Sequence, residues 1–315
     1  MTLRAVVVGS GVSGLTTAVV LAESGWDVTI VTERAWPDTT SRVAGAFWLP
    51  YLSAGRDVSR WATTTYDVLA ALADQGAPGV RLGELIEGGP VAVGIPMWAK
   101  IAEGVRVLRP EELQAGWVDG FCCLVPVVDM GRYLPYLADR LLTAGGVVRQ
   151  RRVERLADLA PADLVVNCSG LGAVDLAADS SVHPVRGQVV ITSNPGLSGV
   201  VVVDGDGPVR TYRVAHLDEV VLGGTAEHDV WALHVDVAVA AGILERARAL
   251  EPRLVDAEVI GHRVGLRPWR PTVRVEADPQ PPDGVISLVH NYGHGGSGLT
   301  LSWGCARHAA RLAGT

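Results

Sequence analysis

Residues 4–8 form a β-branched apolar run that stops at Gly9, and from about 11 to 24 alanines and leucines recur at helical spacing. "WDVTIVTE" then reads as a second strand. Strand, glycine turn, helix and strand in that order open a doubly wound parallel sheet. Between about 48 and 128 the pattern changes to short strands, helices and Gly or Pro breaks, with one clear helix in "TTTYDVLAALADQG" stopping at Gly76. The next long helix is "DMGRYLPYLADRLLTAGG", with Asp129 as N-cap and Gly145 as C-terminal stop. "DLVVNCSGLGA" reads as a buried parallel strand entering a glycine-rich turn. From about 184 to 224, apolar runs alternate with turn signals ("SNPG", "DGDG"), the mark of an antiparallel sheet, and a helix follows near 235–250. The chain closes on a strand, "GVISLVHNYG", a turn, "GHGGSG", and a helix, "LTLSWGCARHAARL". That last unit completes the first domain. The reading is therefore α/β with two discontinuous domains: a Rossmann-like doubly wound domain (1–47, 129–183, 268–315) and a mostly antiparallel domain (48–128, 184–267).

Composition narrows the function classes. A chain of 315 residues with 48% apolar and 19% charged positions buries a full core and is globular. Net charge is −7, and the basic residues, nearly all arginine with Lys100 the only lysine, form no stripe, which argues against nucleic acid. Cysteines 122, 123, 168 and 305 show no CxxC spacing, so neither a metal site nor a disulfide framework is expected, and a reducing cytoplasm fits. No uninterrupted apolar run reaches the ~18 residues that span a bilayer, and no cleavage site follows the apolar N-terminus, so no membrane is expected as partner.

Gly9-Ser10-Gly11-Val12-Ser13-Gly14 lies between a strand and a helix, the setting of a phosphate loop. The first glycine allows the tight turn, the second lets backbone N–H groups approach a pyrophosphate, and the third lets helix and strand pack closely. Glu33, nineteen residues after Gly14, ends the second strand, where a carboxylate can bond a ribose hydroxyl. "NCSGLGA" is either a second backbone loop against the same dinucleotide or a plain strand-to-helix turn. In "VGLRPWRPTVRVE", Arg267 either grips a ligand carboxylate through its planar fork or forms a salt bridge, the reading preferred for Arg270 and Arg274. His290 and His294 read as loop histidines bonded to backbone.

Four separated stretches, "VVVGSGVSGL", "SRVAGAFWLPY", "VGLRPWRPTVRVE" and "HNYGHGGSGLTLSWGCA", together resemble the FAD-dependent D-amino-acid oxidases; "VNCSGLGA" and "PVRGQVV" are similar as well. The resemblance implies FAD held by Gly9, Gly11, Val12, Ser13, Gly14, Glu33, Arg34, Ser41, Val43, Ala44, Gly45, Ala46, Ser169 and Gly170. It extends the cofactor contacts to Gly293, Gly295, Gly296, Ser297, Gly298, Leu299 and Thr300. It also implies that Arg267 grips the substrate carboxylate, that the Tyr212 hydroxyl assists it, and that the Gly296 carbonyl receives the amine. Phe47, Trp48 and Ser297 would wall a partly apolar pocket suited to neutral D-amino acids. The sequence departs from the family pattern in lacking the proline of Tyr-x-x-Pro after Tyr212, in Arg42 beside the flavin segment, and in a short stretch before Tyr212.

The implied reaction is oxidation of a D-α-amino acid by hydride transfer from Cα to flavin N5, giving a 2-oxo acid, ammonia and, with dioxygen, hydrogen peroxide. Alternatives are an amine oxidase acting on glycine, sarcosine or a biosynthetic intermediate, and a flavin dehydrogenase that uses a carrier. A homodimer is the candidate assembly. On period-two alternation Arg210 shares the face of Tyr212, where it either reaches an acidic substrate side chain or sits in solvent.

Overall fold

The computed structural model describes residues 2–204 and 210–314, so part of the expected "DGDG" turn lies outside the described residues. Within them the strands join into one fourteen-stranded sheet. One part is parallel: Arg4–Val8 lies at its middle, flanked by Asp27–Thr32 and Ala162–Asn167, with Val147–Gln150 and Val285–His294 outside these. The other part is mostly antiparallel and runs through Glu103–Val107, Asp119–Val128, Val80–Gly89, Val200–Val203, Thr211–Ala215, Glu219–Gly223 and His183–Ser193. Two of the strands expected to be short, Val80–Gly89 and Asp119–Val128, are ten residues long, because they pair with each other along their whole length.

The link between the two parts is Val259–Ala277. Its first half pairs with His183–Ser193 as far as Trp269, and its second half pairs with Val285–His294. It passes unbroken through 267/268.

Helices cover the sheet where the sequence leaves apolar faces. Val12–Glu23 begins at Gly11 in extended backbone without a side-chain cap, and Val12, Leu15, Val19 and Leu21 are buried. Met130–Thr143 is capped by Asp129, whose carboxylate accepts the Gly131 N–H at 2.8 Å, and Gly145 leaves the helix at φ +86°. Val58–Asp74, Val237–Leu250 and Gly298–Leu312 complete the long helices. None of the described helices is long and apolar enough to cross a membrane. One continuous core contains Leu15 and Trp303 from the helices together with Leu85, Val125 and Val214 from the antiparallel strands. Trp48 belongs to this core rather than to a pocket wall. It is fully buried, donates to the Ala62 carbonyl at 3.0 Å and meets the Tyr66 and Trp98 rings edge-on. A large ring with one polar atom is most stable where that atom finds a partner inside an apolar layer, and this layer lies behind the site.

Gly298–Leu312 crosses Val58–Asp74 at Gly304. A Cβ there would stand 2.3 Å from the Trp61 carbonyl oxygen, and the Gly304 N–H donates to Thr65 Oγ1 at 3.0 Å. Gly304→Ala is therefore expected to destabilise by ~2 kcal/mol, against the ~1 kcal/mol gain that alanine normally brings inside a helix. A thermal melt decides the sign: a Tm at or above wild type contradicts the close crossing.

Candidate active site

A cavity of about 870 Å³ opens at the C-terminal ends of the parallel strands and extends to the antiparallel strands. Gly9, Gly11, Val12 and Ser13 line its inner end, with Thr32 to Arg34 beside them. Gly9 has φ +99°, and a Cβ on it would lie 2.7 Å from the Cys168 carbonyl oxygen. Gly14 does not reach the wall. A Cβ there would fall 2.0 Å from the Gly9 carbonyl oxygen, so this glycine lets the helix seat against the loop. Gly11 gives the helix start no cap and Ser41 Oγ takes the Val12 N–H, while Gly11, Val12 and Ser13 line the cavity at the positive end of the helix dipole, a setting that favours a phosphate.

The Ser10 and Thr32 hydroxyls both donate to the Arg34 carbonyl, at 2.8 and 2.7 Å, and fix the corner after the second strand. Glu33 lies on the rim, mostly exposed, 3.8 Å from Arg152. Ser169 and Gly170 line the opposite wall, and the buried Ser169 Oγ has no partner among the described residues. An unpartnered hydroxyl beside a glycine cradle fits the polar spine of a dinucleotide such as FAD.

The segment from Ser41 to Phe47 lies along the middle of the cavity and is fastened from several sides. Ser41 Oγ accepts the Val12 N–H at 3.0 Å, Thr40 Oγ1 donates to the Leu266 carbonyl at 3.2 Å, and His216 Nε2 lies 3.2 Å from the Gly45 carbonyl. Burial lowers the His216 pKa, so the neutral ring donates this bond. Ala46 is held at φ +51° while its carbonyl accepts the Val128 N–H at 2.8 Å. A side chain in that backbone region is kept there by its surroundings. Val43, Ala44, Gly45, Ala46 and Phe47 all line the cavity.

At the outer end stand Tyr212 and Arg267. The Arg267 guanidinium lies over Gly187, where a Cβ would sit 2.4 Å from it, and Nη1 donates to the Thr225 carbonyl at 2.9 Å. The Tyr212 ring lies over Gly223 and Gly224, where a Cβ would come within 2.1 and 2.9 Å of it, and 6.1 Å from the Phe47 ring. Burial raises the Tyr212 pKa more than the neighbouring Arg267 lowers it, so the phenol stays a hydrogen-bond donor. No described carboxylate forms a salt bridge with Arg267, whereas Arg270 is bonded to Asp179 at 3.0 Å and Arg274 to Glu276 at 2.7 Å.

Gly295, Gly296, Gly298, Leu299 and Thr300 line the wall between the two ends. A Cβ on Gly296 would meet the Tyr51 ring at 2.6 Å. Ser297 is not on that wall. It is fully buried and turned away, accepting the Tyr51 N–H at 2.6 Å and donating to the Tyr51 carbonyl at 2.8 Å. Gly293 is also off the wall, against the Arg270 side chain, with φ +79°. The two histidines belong to a strand, not a loop, and their partners are side chains. His290 Nε2 lies 3.0 Å from Asp278 Oδ2, and His294 Nε2 lies 3.1 Å from Asn291 Oδ1. Burial holds His294 near a pKa of about 4, so it is neutral.

Arg210 lines the cavity rather than sitting in solvent, and it does not stand free. Its guanidinium bonds Asp204 at 3.1 and 3.2 Å, lies 3.6 Å from Glu87 and rests 5.8 Å from the Tyr51 ring centre. Tyr51, Glu87, Asp204 and Gly187 went unread in the sequence. Gly187 stands in the quoted "PVRGQVV", but its need to be glycine depends on a side chain eighty positions away.

Residues 4–312 match the family model described as FAD dependent oxidoreductase, DAO. The chain belongs to this family. It is 48% identical to a D-amino-acid oxidase of Rubrobacter xylanophilus over 99% of this chain and 96% of that one. It is 46% identical to a D-amino-acid oxidase of Streptomyces coelicolor over 98% and 96% of the two chains. The crystal structure of glycine oxidase from Geobacillus kaustophilus shares the fold at a TM-score of 0.85, 22% identity and coverage of 99% and 95%. Membership in this family of FAD-dependent oxidoreductases makes FAD the cofactor, and the glycine loop with the Ser169 hydroxyl is suited to it.

Glu87 makes the site pH-sensitive. Burial raises its carboxyl pKa to about 7, against the pull of Arg210. The folded state then holds a proton that the unfolded state has released, so stability falls as pH rises from about 4.5 toward about 7, by up to ~3 kcal/mol. Glu87→Gln should remove this loss. Urea unfolding of both proteins at several pH values tests it, since the opposite slope from His294 is common to both. A wild type minus variant difference that does not change with pH contradicts it.

Proposed function

We propose that the protein oxidises neutral D-α-amino acids to 2-oxo acids, with ammonia and hydrogen peroxide as the other products. The carrying observation is Arg267: a guanidinium at the cavity wall, paired with no described carboxylate, beside a protonated phenol. An α-carboxylate supplies the missing partner.

FAD, when bound, supplies a hydride acceptor that dioxygen can reoxidise. The chain supplies the geometry. Arg267 grips the substrate carboxylate in a two-pronged bond, and the Tyr212 hydroxyl donates to the same group. The Gly296 carbonyl accepts from the amine, its backbone kept in place by the Tyr51 ring. With the carboxylate and the amine anchored and the side chain confined to the wall at Phe47, a single enantiomer turns its Cα hydrogen toward the cofactor. Phe47 gives the side chain an apolar wall. No side-chain base is required, which suits a cavity whose lining histidine, His294, is buried and held by Asn291.

The reading includes a cofactor-binding domain of 1–47, 129–183 and 268–315, and it is supported by the parallel strands, all of which fall in those segments apart from the Val80–Gly89 and Val200–Val203 pair. It also includes a cytoplasmic homodimer, which size-exclusion chromatography tests directly.

The purified protein should be yellow and release FAD on denaturation, and Gly11→Val should leave it colourless, since a side chain there enters the phosphate space. Arg267→Ala should keep FAD and lower kcat/KM for D-valine by ~100-fold or more, with little rescue by lysine, which lacks the planar fork. A peroxide assay with D- and L-amino acids measures both. Near-normal activity in the alanine variant, or equal rates for both enantiomers, contradicts the assignment.

A further inference from the structure

Tyr212, Val202 and Glu87 are direct cross-strand partners on three adjacent strands. Partners in register present their side chains to one face of a sheet, so Glu87 shares the face of Tyr212. Leu85, Val200, Val202, Val214 and Val221, which share that face, all belong to the apolar core. A carboxylate there is costly to bury unless it is paired. Glu87 is 3% exposed, and its Oε2 has no partner among the described residues, while Oε1 lies 3.6 Å from the Arg210 guanidinium. The same guanidinium bonds both oxygens of Asp204 and rests on the Tyr51 ring, whose edge abuts Gly296.

Resting on the reaction proposed above, we infer that Glu87 and Asp204 clamp Arg210 as a charge-compensated wall of the substrate cavity, which turns away acidic side chains and admits neutral ones. Both carboxylates and the tyrosine ring hold the guanidinium on the wall, and its Nε and Nη2 donors are engaged by Asp204 before substrate arrives. Above pH 7, where Glu87 is ionised, a substrate carboxylate arriving there finds the guanidinium already bonded to Asp204 and faced by Glu87, so the wall offers it no free cation. Glu87 does not touch the substrate in this scheme. It is a positioning residue that acts through Arg210.

The test uses the FAD-loaded protein at about pH 8.5, where Glu87 is ionised, as wild type, Glu87→Gln, Asp204→Asn, Arg210→Met and the double variant Glu87→Gln/Arg210→Met. Two readouts are compared: kcat/KM for D-aspartate and D-valine, and binding of succinate and 3-methylbutanoate, followed by perturbation of the flavin absorbance. Either single carboxylate variant should raise the D-aspartate to D-valine ratio by ~10-fold or more, through a lower KM for D-aspartate, and tighten succinate relative to 3-methylbutanoate by a similar factor. The Arg210→Met background should abolish both changes, which a general loosening of the fold would not do. The clamp is overturned if both carboxylate variants stay within about twofold of wild type, if the double variant shifts as Glu87→Gln does, or if wild type already prefers D-aspartate. Should the protein oxidise neither amino acid, the proposed reaction fails, and the succinate and 3-methylbutanoate titrations still decide the clamp.

Discussion

The strand Val259–Ala277 pairs first with His183–Ser193 and then with Val285–His294, so the antiparallel and parallel parts of the sheet are hydrogen-bonded to the same backbone. Arg267 stands two residues before the change of partner at Trp269. The ladder with His183–Ser193 is regular from Gly261 through Trp269 and so fixes Arg267 on that strand, 256 positions from Gly11, while the ladder with Val285–His294 becomes regular only from Arg274 after an irregularity.

Close approach is the second constraint, and glycine provides it. Gly9 and Gly14 let strand, loop and helix meet within the space a Cβ would fill, while Gly187, Gly223 and Gly224 give flat seats to the Arg267 guanidinium and the Tyr212 ring. Side chains laid against backbone in this way lose their rotational freedom before substrate arrives, so the grip is organised in advance. The Ser297 hydroxyl has the same effect from behind, holding the Tyr51 backbone through both its N–H and its carbonyl.

Charge is distributed unevenly among the buried and half-buried arginines. Arg186 is enclosed by Glu227, Gln188 and the carbonyls of Ala232 and His234, Arg270 by Asp179, and Arg210 by Asp204 with Glu87. Arg267 has a carbonyl and a phenol beside it instead. A half-buried cation without its counter-ion is unfavourable on its own, and in the proposed reaction the substrate carboxylate supplies that counter-ion.

Patterns carried within a few residues were legible in the sequence. The β-branched run, the glycine spacing and the apolar helix that follows determine the parallel unit, because each is enforced locally by sterics and backbone hydrogen bonding. Asp129 as a cap and Gly145 as a helix end were readable for the same reason. The proposed roles of Arg267 and Tyr212 rest, in the sequence, mainly on family resemblance, since little local separates Arg267 from Arg270. The tertiary structure decided which residues share a wall. Trp48, Ser297 and Gly293 lie next to cavity-lining positions in the chain, yet their side chains or backbone turn into the core or against other strands. Glu87, by contrast, comes from a strand with no motif and arrives at the site because the register Glu87, Val202, Tyr212 spans three strands. Register is settled by burial of whole sheet faces across long separations, and no short window of sequence contains it.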